Sequence, residues 1–309
     1  MTPLPLSVHH GALDPATAAE VRELAARAGA ADGVAPLSEQ PLLGLTADAP
    51  TAHLAARDAG GVVRGYAQLD LGATGSASAE LVVDPEARRL GVGGRLLALA
   101  RELAADDNAA DPAGRRFSVW AHGDLPAARA LAAHAGLAIV RELWLMGADL
   151  TRVPARPAPE LPRGVVVRAF AAGRDEEEWR RVNARAFAHH PEQGRITRAD
   201  LDARLAEPWF DPEGFLLAER DGVLLGSVWT KVHPADGAGS AAGEIYVLGV
   251  DPDAQGLGLG GSLTRRGLDH LVGRGLTRAI LYTEADNDVA IRAYTRAGFE
   301  RTGADVQFG

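Results

Sequence analysis

Apolar positions along this chain switch between a period of two and a period near three and a half, and the switches come in the same order twice. In the first run an Ala-rich amphipathic helix spans Ala16–Ala28. Strands over Thr51–Arg57 and Val62–Leu69 then bracket a turn at Ala59-Gly60-Gly61. A buried strand, Ala79–Val83, leads through a glycine-rich segment into a helix from Gly93 to Ala105. Strand Arg116–Trp120, helix Pro126–Ala135 and a closing pair of strands within Leu137–Asp149 complete the run. The second run reads strand Val165–Phe170, helix Glu176–Phe187, and a hairpin Phe215–Glu219/Val223–Val232 around Asp221-Gly222. It continues with strand Glu244–Val250, glycines, helix Gly261–Val272, strand Ala279–Thr283, helix Asp288–Ala297 and a terminal strand pair.

The two runs are copies. Asp84-Pro-Glu-Ala-Arg-Arg-Leu-Gly-Val-Gly-Gly-Arg-Leu-Leu97 aligns without gaps to Asp251-Pro-Asp-Ala-Gln-Gly-Leu-Gly-Leu-Gly-Gly-Ser-Leu-Thr264, identical at 8 of 14 positions and 167 residues apart. Ala135-Gly136-Leu137 and Ala297-Gly298-Phe299 match at an offset of 162. Between the runs, residues 151–164 carry four prolines, which exclude helix and discourage a central strand. The expected organisation is a domain over 1–150, a Pro-rich spacer over 151–164 and a second domain over 165–309. Each is an α/β unit with a mixed sheet.

Composition narrows the chemistry. The 309 residues include no Cys, which removes disulfides, a Cys nucleophile and Cys-ligated metal clusters. A net charge of -9, from 41 acidic and 32 basic residues, opposes nucleic acid or an anionic membrane as partner. MTPLPLSVHH lacks the basic start and continuous apolar core of a signal peptide, and no run approaches the ~18 apolar residues of a membrane span. The chain reads as soluble and cytoplasmic. The pairs His9-His10 and His189-His190 have no clustered carboxylate or Cys spacing around them, so no metal site is expected.

In each run a hydrophobic strand ends at Val-Asp-Pro, turns through glycines and starts a helix, which aims several N–H groups at one point beside a positive helix end. That context suits a phosphate. Gly91, Gly93 and Gly94, and likewise Gly258, Gly260 and Gly261, remove side chains that would hold a pyrophosphate away from the backbone. No Gly-Lys-Ser/Thr follows, which excludes a Walker loop, and antiparallel hairpins before the motif disfavour a dinucleotide fold.

Arg88-Arg89-Leu90-Gly91-Val92-Gly93-Gly94 and Gln255-Gly256-Leu257-Gly258-Leu259-Gly260-Gly261 resemble the Q/R-x-x-G-x-G/A loop of the GNAT acetyltransferases, and the order of elements agrees. Further motifs resemble a tandem-GNAT branch whose acceptor is a cysteine joined by an amide to a glucosamine–inositol pseudodisaccharide. They are Leu37-Ser38-Glu39-Gln40, Val182-Asn183-Ala-Arg-Ala-Phe187 with His190-Pro191-Glu192-Gln193-Gly194, Trp209-Phe210-Asp211-Pro212, Trp229-Thr230-Lys231-Val232-His233-Pro234, Gly243-Glu244-Ile-Tyr-Val-Leu-Gly-Val250 and Leu281-Tyr282 through Asn287.

The resemblance implies two tandem GNAT domains and acetyl-CoA as acyl donor. It implies that the loops hold the donor's pyrophosphate, while the strand ends Leu81-Val82-Val83 and Leu248-Gly249-Val250, next to a bulge in the family, meet its pantetheine arm. Asn287 and Arg292 are further donor contacts. Glu244 takes the proton of the amine and Tyr294 protonates the departing thiolate. Glu39, Glu178, Lys231, Glu244 and Tyr282 hold the acceptor, with a neighbour in the acidic run 175–178 as an alternative to Glu178.

At the repeat offsets Tyr294 corresponds to Ala132, Asn287 to Leu125 and Glu244 to Ala77, with Glu80 as a substitute if the strand carries a gap. The first domain is therefore expected to keep the loop and lack catalysis. The family analogy points to a monomer. Two other functions stay open on the residues alone: acetylation of another small amine, such as an aminoglycoside or amino acid, and a non-catalytic acyl-CoA-binding module.

Overall fold

A computed structural model describes residues 3–72, 75–106, 115–152, 159–188, 190, 193–235 and 241–309. The chain divides into two compact units, Met1–Leu143 with Gly303–Gly309, and Trp144–Thr302.

The first unit contains β1 (Leu6–His10), α1 (Pro15–Asp32), α2 (Glu39–Gly44), β2 (Thr51–Arg57), β3 (Val63–Asp70), β4 (Ser76–Val83), α3 (Val92–Asp106), β5 (Arg116–Ala121), α4 (Pro126–His134) and the start of β6 (Ile139–Asp149). Local chemistry sets the ends of α1. Asp14 accepts from the N–H groups of Ala16 and Thr17, Pro15 opens the helix, and Gly33 closes it at φ 72°. Strands β1 to β4 pair antiparallel in sequence order, and β4 pairs parallel with β5. Helix α1 buries Val21, Leu24 and Ala28 on one face of the sheet against Val63, Tyr66 and Val82. On the other face α3 buries Leu96, Leu97 and Ala100 against Leu54, Ala67 and Ala79.

The second unit repeats the plan with β7 (Val165–Ala169), α5 (Glu176–Ala186), α6 (Arg198–Leu205), β8 (Phe215–Arg220), β9 (Val223–His233), β10 (Ala242–Val250), α7 (Leu259–Gly273), β11 (Arg278–Glu284), α8 (Asp288–Arg296) and the start of β12 (Glu300–Phe308). Helix α7 packs Leu263, Leu268 and Leu271 against Val228 and Ile245. The opposite face carries an aromatic core in which Trp179, Phe215 and Trp229 are fully buried.

Three elements are not apparent in the periodicity: β1, α2 and α6. The closing strand pairs also differ from expectation, because Ile139–Asp149 and Glu300–Phe308 each form one long strand. Their partners come from far along the chain. Val306, Gln307 and Phe308 pair with Ala121, Trp120 and Val119 of β5, and Ala138 and Gly309 exchange backbone hydrogen bonds of 3.0 and 2.9 Å. The compact units accordingly divide inside β6 and β12 and not within 151–164, of which 153–158 lie outside the described residues. Ladder pairing decides which strand segment belongs to which core, and local proline content carries no record of it.

Candidate active site

The two glycine loops fold alike because the same residues hold them. Asp84 and Asp251 each leave the strand with nearly equal dihedrals (φ/ψ -49°/129° and -52°/134°). Each accepts a hydrogen bond from the N–H two residues on, closing a short turn. Gly91 and Gly258 both sit in the left-handed region, at φ 78° and 77°. Gly258 caps α7 with no side-chain oxygen, so the N–H groups of the first turn are left for a ligand, and Gly260 and Gly261 border open space. Buried Leu259 anchors the helix start while Leu257 is exposed. In the first unit the pattern recurs with buried Val92 and exposed Leu90. There Arg89 takes the left-handed conformation, φ 63°, that Gly256 takes at 79°. Arg88 is turned away into a bidentate pair with Asp32 at 2.7 Å.

What separates the units is the strand before the loop. Strand β10 pairs with β9 in regular register except at Tyr246, an extra residue between the pairs Ile245↔Thr230 and Val247↔Trp229. This bulge bends β10. Among the described residues its parallel pairing with β11 consists of Gly243↔Ala279 and Glu244↔Ile280, so beyond Glu244 the two strands diverge toward the glycine loop. The wedge leaves backbone groups of Tyr246 to Val250 free of a β11 ladder. The chain is close-packed there: a Cβ at Gly249 would stand 3.2 Å from the Phe187 ring and 3.3 Å from Ala186, so a larger residue needs these neighbours to shift.

Glu244 lies where the wedge opens and is buried, 7% exposed. Its Oε2 is 2.6 Å from His233 Nε2. Opposite it in register is Lys231, whose Nζ stands 4.4 Å from the Trp209 ring centre and 5.2 Å from that of Tyr246. A cation over two aromatic faces is attracted to both. The bulged Tyr246 is held in turn by Arg204, which donates from Nε to its hydroxyl at 2.8 Å. Glu244, Lys231 and His233 therefore share one face, beside an aromatic floor of Trp209 and Tyr246.

Tyr294 on α8 packs against Phe299, and burial pushes its hydroxyl up to about 12. That hydroxyl makes no hydrogen bond among the described residues, so it stays protonated and available as a donor at neutral pH. Asn287 caps α8 by accepting from the Ala290 N–H at 3.0 Å, and exposed Arg292 lies 3.7 Å from Asp288. Tyr282 is exposed on β11. In the acidic run every carboxylate has a partner. Asp175 pairs with Arg168 and Arg174, which hold it ionised far below the usual range although burial opposes this. Glu176 accepts from the Gly173 N–H, Glu177 meets Arg180, and Glu178 takes a bidentate bond from Arg181 at 2.7 and 2.9 Å, which lowers its pKa. Glu39 opens α2 in the first unit, directly after Ser38. His9 contacts the Ala12 carbonyl and His190 lies 3.3 Å from Glu284, while His189 is outside the described residues.

Residues 178–299 match the model of the acetyltransferase (GNAT) family. A protein of Cellulomonas flavigena named mycothiol acetyltransferase is 60% identical over 99% of this chain and 89% of its own length. One of the same name from Sanguibacter keddieii is 57% identical over 98% of this chain and 96% of its own. The chain belongs to the mycothiol acetyltransferase family. A solved tandem GNAT protein from the clavulanic acid biosynthesis pathway superposes with a TM-score of 0.72 at 21% identity, covering 98% of both chains, so the tandem fold is shared across distant sequences. As a member of this family the chain is an acetyl-CoA-dependent N-acetyltransferase.

Strand register now aligns the two units of this acetyltransferase residue by residue. Gly65↔Val83 in the first matches Gly226↔Val250 in the second. Counting along both ladders, and skipping the bulged Tyr246, sets Ser78, opposite Asp70, at the place of Glu244, opposite Lys231. The counterpart of Glu244 is thus neither Ala77 nor Glu80, because a one-residue bulge shifts the offset that the loop alignment implies. Nor is Glu80 a spare base. It accepts from the Ser38 N–H and hydroxyl, both at 2.6 Å, and lies 3.1 Å from His122 Nε2. Ala132, at the place of Tyr294, is buried.

Sequence motifs contained Trp209, Tyr246 and His233 without marking them. The strand alternation of Lys231 and His233 puts both on one face and was the available signal. The bulge that brings Tyr246 beside them left no such trace in the alternation and was expected only from the family resemblance.

Proposed function

We propose that the second unit acetylates the cysteinyl α-amine of the glucosamine–inositol pseudodisaccharide, the last step of mycothiol biosynthesis, by direct transfer from acetyl-CoA. The observation that carries this reading is a buried carboxylate, Glu244, at the mouth of a strand wedge that opens onto an uncapped, glycine-lined helix start. An α-amine with a pKa near ~8 is mostly protonated at neutral pH, so attack on a thioester needs a base. Glu244 takes that proton, through water, and Tyr294 delivers one to the departing thiolate sulfur. Gln255 through Gly261 hold the donor's pyrophosphate, Leu248, Gly249 and Val250 offer backbone groups to the pantetheine arm, and Asn287 and Arg292 flank it. Rate comes from positioning and from N–H stabilisation of the oxyanion.

The acceptor carries hydroxyls and one amine. Lys231, Tyr282 and Glu178 supply polar contacts to it, and the names borne by the relatives support this acceptor over simpler amines. The first unit keeps its loop, Arg88 to Gly94 after Leu81, Val82 and Val83, and serves as scaffold. A direct test measures CoA release with the cysteinyl pseudodisaccharide against free cysteine, glucosamine and an aminoglycoside. Release with the first acceptor alone is expected. Equal or faster release with a simple amine, or none with any, overturns the assignment.

A further inference from the structure

Transfer of an acetyl group to a protonated amine has a surplus proton. The nitrogen gives up two protons as its bond to the acetyl carbon forms, and the C–S bond breaks. Sulfur keeps one proton, so that R–NH3+ and the thioester become the amide, the thiol and one H+. Tyr294 supplies the proton for sulfur and is refilled by one of the two from nitrogen. The other reaches Glu244 and must leave it before the next turnover. Glu244 is 7% exposed, which restricts direct exchange with water.

One group bridges that gap. His233 Nε2 lies 2.6 Å from Glu244 Oε2, and the His233 side chain is 39% exposed, against 10% for that of Glu244. Its other ring nitrogen, Nδ1, has no partner among the described residues. The bridge is built by register: Glu244 stands opposite Lys231, and His233 is two residues further along β9 on the same face. Lys231, the charged group opposite Glu244 in register, is drawn over Trp209 and Tyr246. It has no acceptor lone pair when protonated. An imidazole can accept at one nitrogen and release at the other.

We propose that His233 is the positioning and relay residue through which Glu244 discharges its proton to water. The carboxyl proton passes from Oε2 to Nε2, the ring releases its Nδ1 proton to solvent, and tautomer exchange through water restores the acceptor nitrogen. This rests on the reading of Glu244 as base.

The test uses the full-length enzyme with acetyl-CoA and the cysteinyl pseudodisaccharide. His233→Ala is expected to lower kcat about 10- to 100-fold with the acceptor KM held within about twofold, and added imidazole to restore kcat in proportion to its concentration. His233→Gln keeps a donor to Glu244 but carries no proton, so it is expected to be as slow as His233→Ala. Full kcat in His233→Gln, or a slow His233→Ala that imidazole leaves unchanged, overturns the relay while unaltered enzyme and a slow Glu244→Gln leave the base reading standing. No CoA release from the unaltered chain, or full turnover by Glu244→Gln, overturns the base reading and the relay with it.

Discussion

Two strand pairs, built from one duplicated plan, have gone opposite ways. In the second unit β10 carries an extra residue, Tyr246, and among the described residues its parallel pairing with β11 stops after the pairs at Gly243 and Glu244. In the first unit β4 pairs with β3 without a bulge, and its parallel ladder with β5 runs from Ser76↔Arg116 to Glu80↔Trp120, two residues past the place of Glu244. The closed ladder is then locked. His122 lies between Glu80 and Asp305, 3.1 and 2.9 Å away, and stacks on Trp120, the counterpart of Tyr282. Both units keep the same glycine loop to within a few degrees at Asp84/Asp251 and Gly91/Gly258. On the proposed function, a glycine loop by itself is therefore not enough for catalysis. The second unit also has a wedge beside the loop and a buried carboxylate at its mouth, and one inserted residue distinguishes the two ladders.

Removing that residue is expected to have the largest effect. Deleting Tyr246 keeps Glu244 opposite Lys231 but lets β10 lie flat against β11, as β4 does against β5. Turnover should fall by at least about 10³-fold through lost positioning of both substrates, with acetyl-CoA binding by titration calorimetry weakened in parallel. A Tyr246 deletion that still turns over would show that the wedge does not depend on the bulge.

Removing the proton-transfer groups while leaving the wedge should cost less. Glu244→Gln and Tyr294→Phe are each expected to lower kcat by about 10²-fold or more, measured as initial rates of CoA release, with acetyl-CoA affinity unchanged. Because burial raises the Tyr294 pKa to about 12, the wild-type rate should show no alkaline loss from this group below about pH 11. Wild-type rates in either variant would remove that residue from the mechanism.

The smallest effect concerns the lock in the first unit. Burial works against a charged His122, but Glu80 and Asp305 outweigh it and raise the imidazole from 6.5 to about 10. A pKa raised on folding stabilises the protein fully below the unfolded value and loses that contribution as pH climbs through the folded one. Thermal melts should therefore show His122→Gln less stable than wild type by about 3 kcal/mol at pH 7 and the gap narrowing toward pH 10. A gap that is constant with pH would mean that the contact is packing and not charge.

Periodicity and punctuation were enough to read most strands and helices, the duplication and the glycine loops, because these depend on side-chain spacing within one segment, whereas Glu244, Lys231 and Tyr294 were singled out only by the family resemblance of the motifs around them. Strand β2 falls on Thr51–Arg57 as the alternation predicts, and α3 and α7 start within two residues of the expected glycines. Helix α6 was missed although Thr197 and Asp200 form a reciprocal cap, since its apolar positions are too few to set a period. Glu178 was legible as part of an acidic helix start, whereas its bond to Arg181 was not.

What is local follows from the sequence: a repeated order of elements, two glycine-rich turns with aspartates that shape them, and a chain without thiols. Tertiary structure alone decided the rest. Which strand segments join which core, which first-unit residue stands in for Glu244, and whether a ladder closes or splays depend on pairings between distant segments. A single extra residue shifts such pairings without changing the hydrophobic pattern on either side. His233 became visible as the partner of Glu244 for the same reason, since eleven residues separate them in the chain and 2.6 Å in the fold.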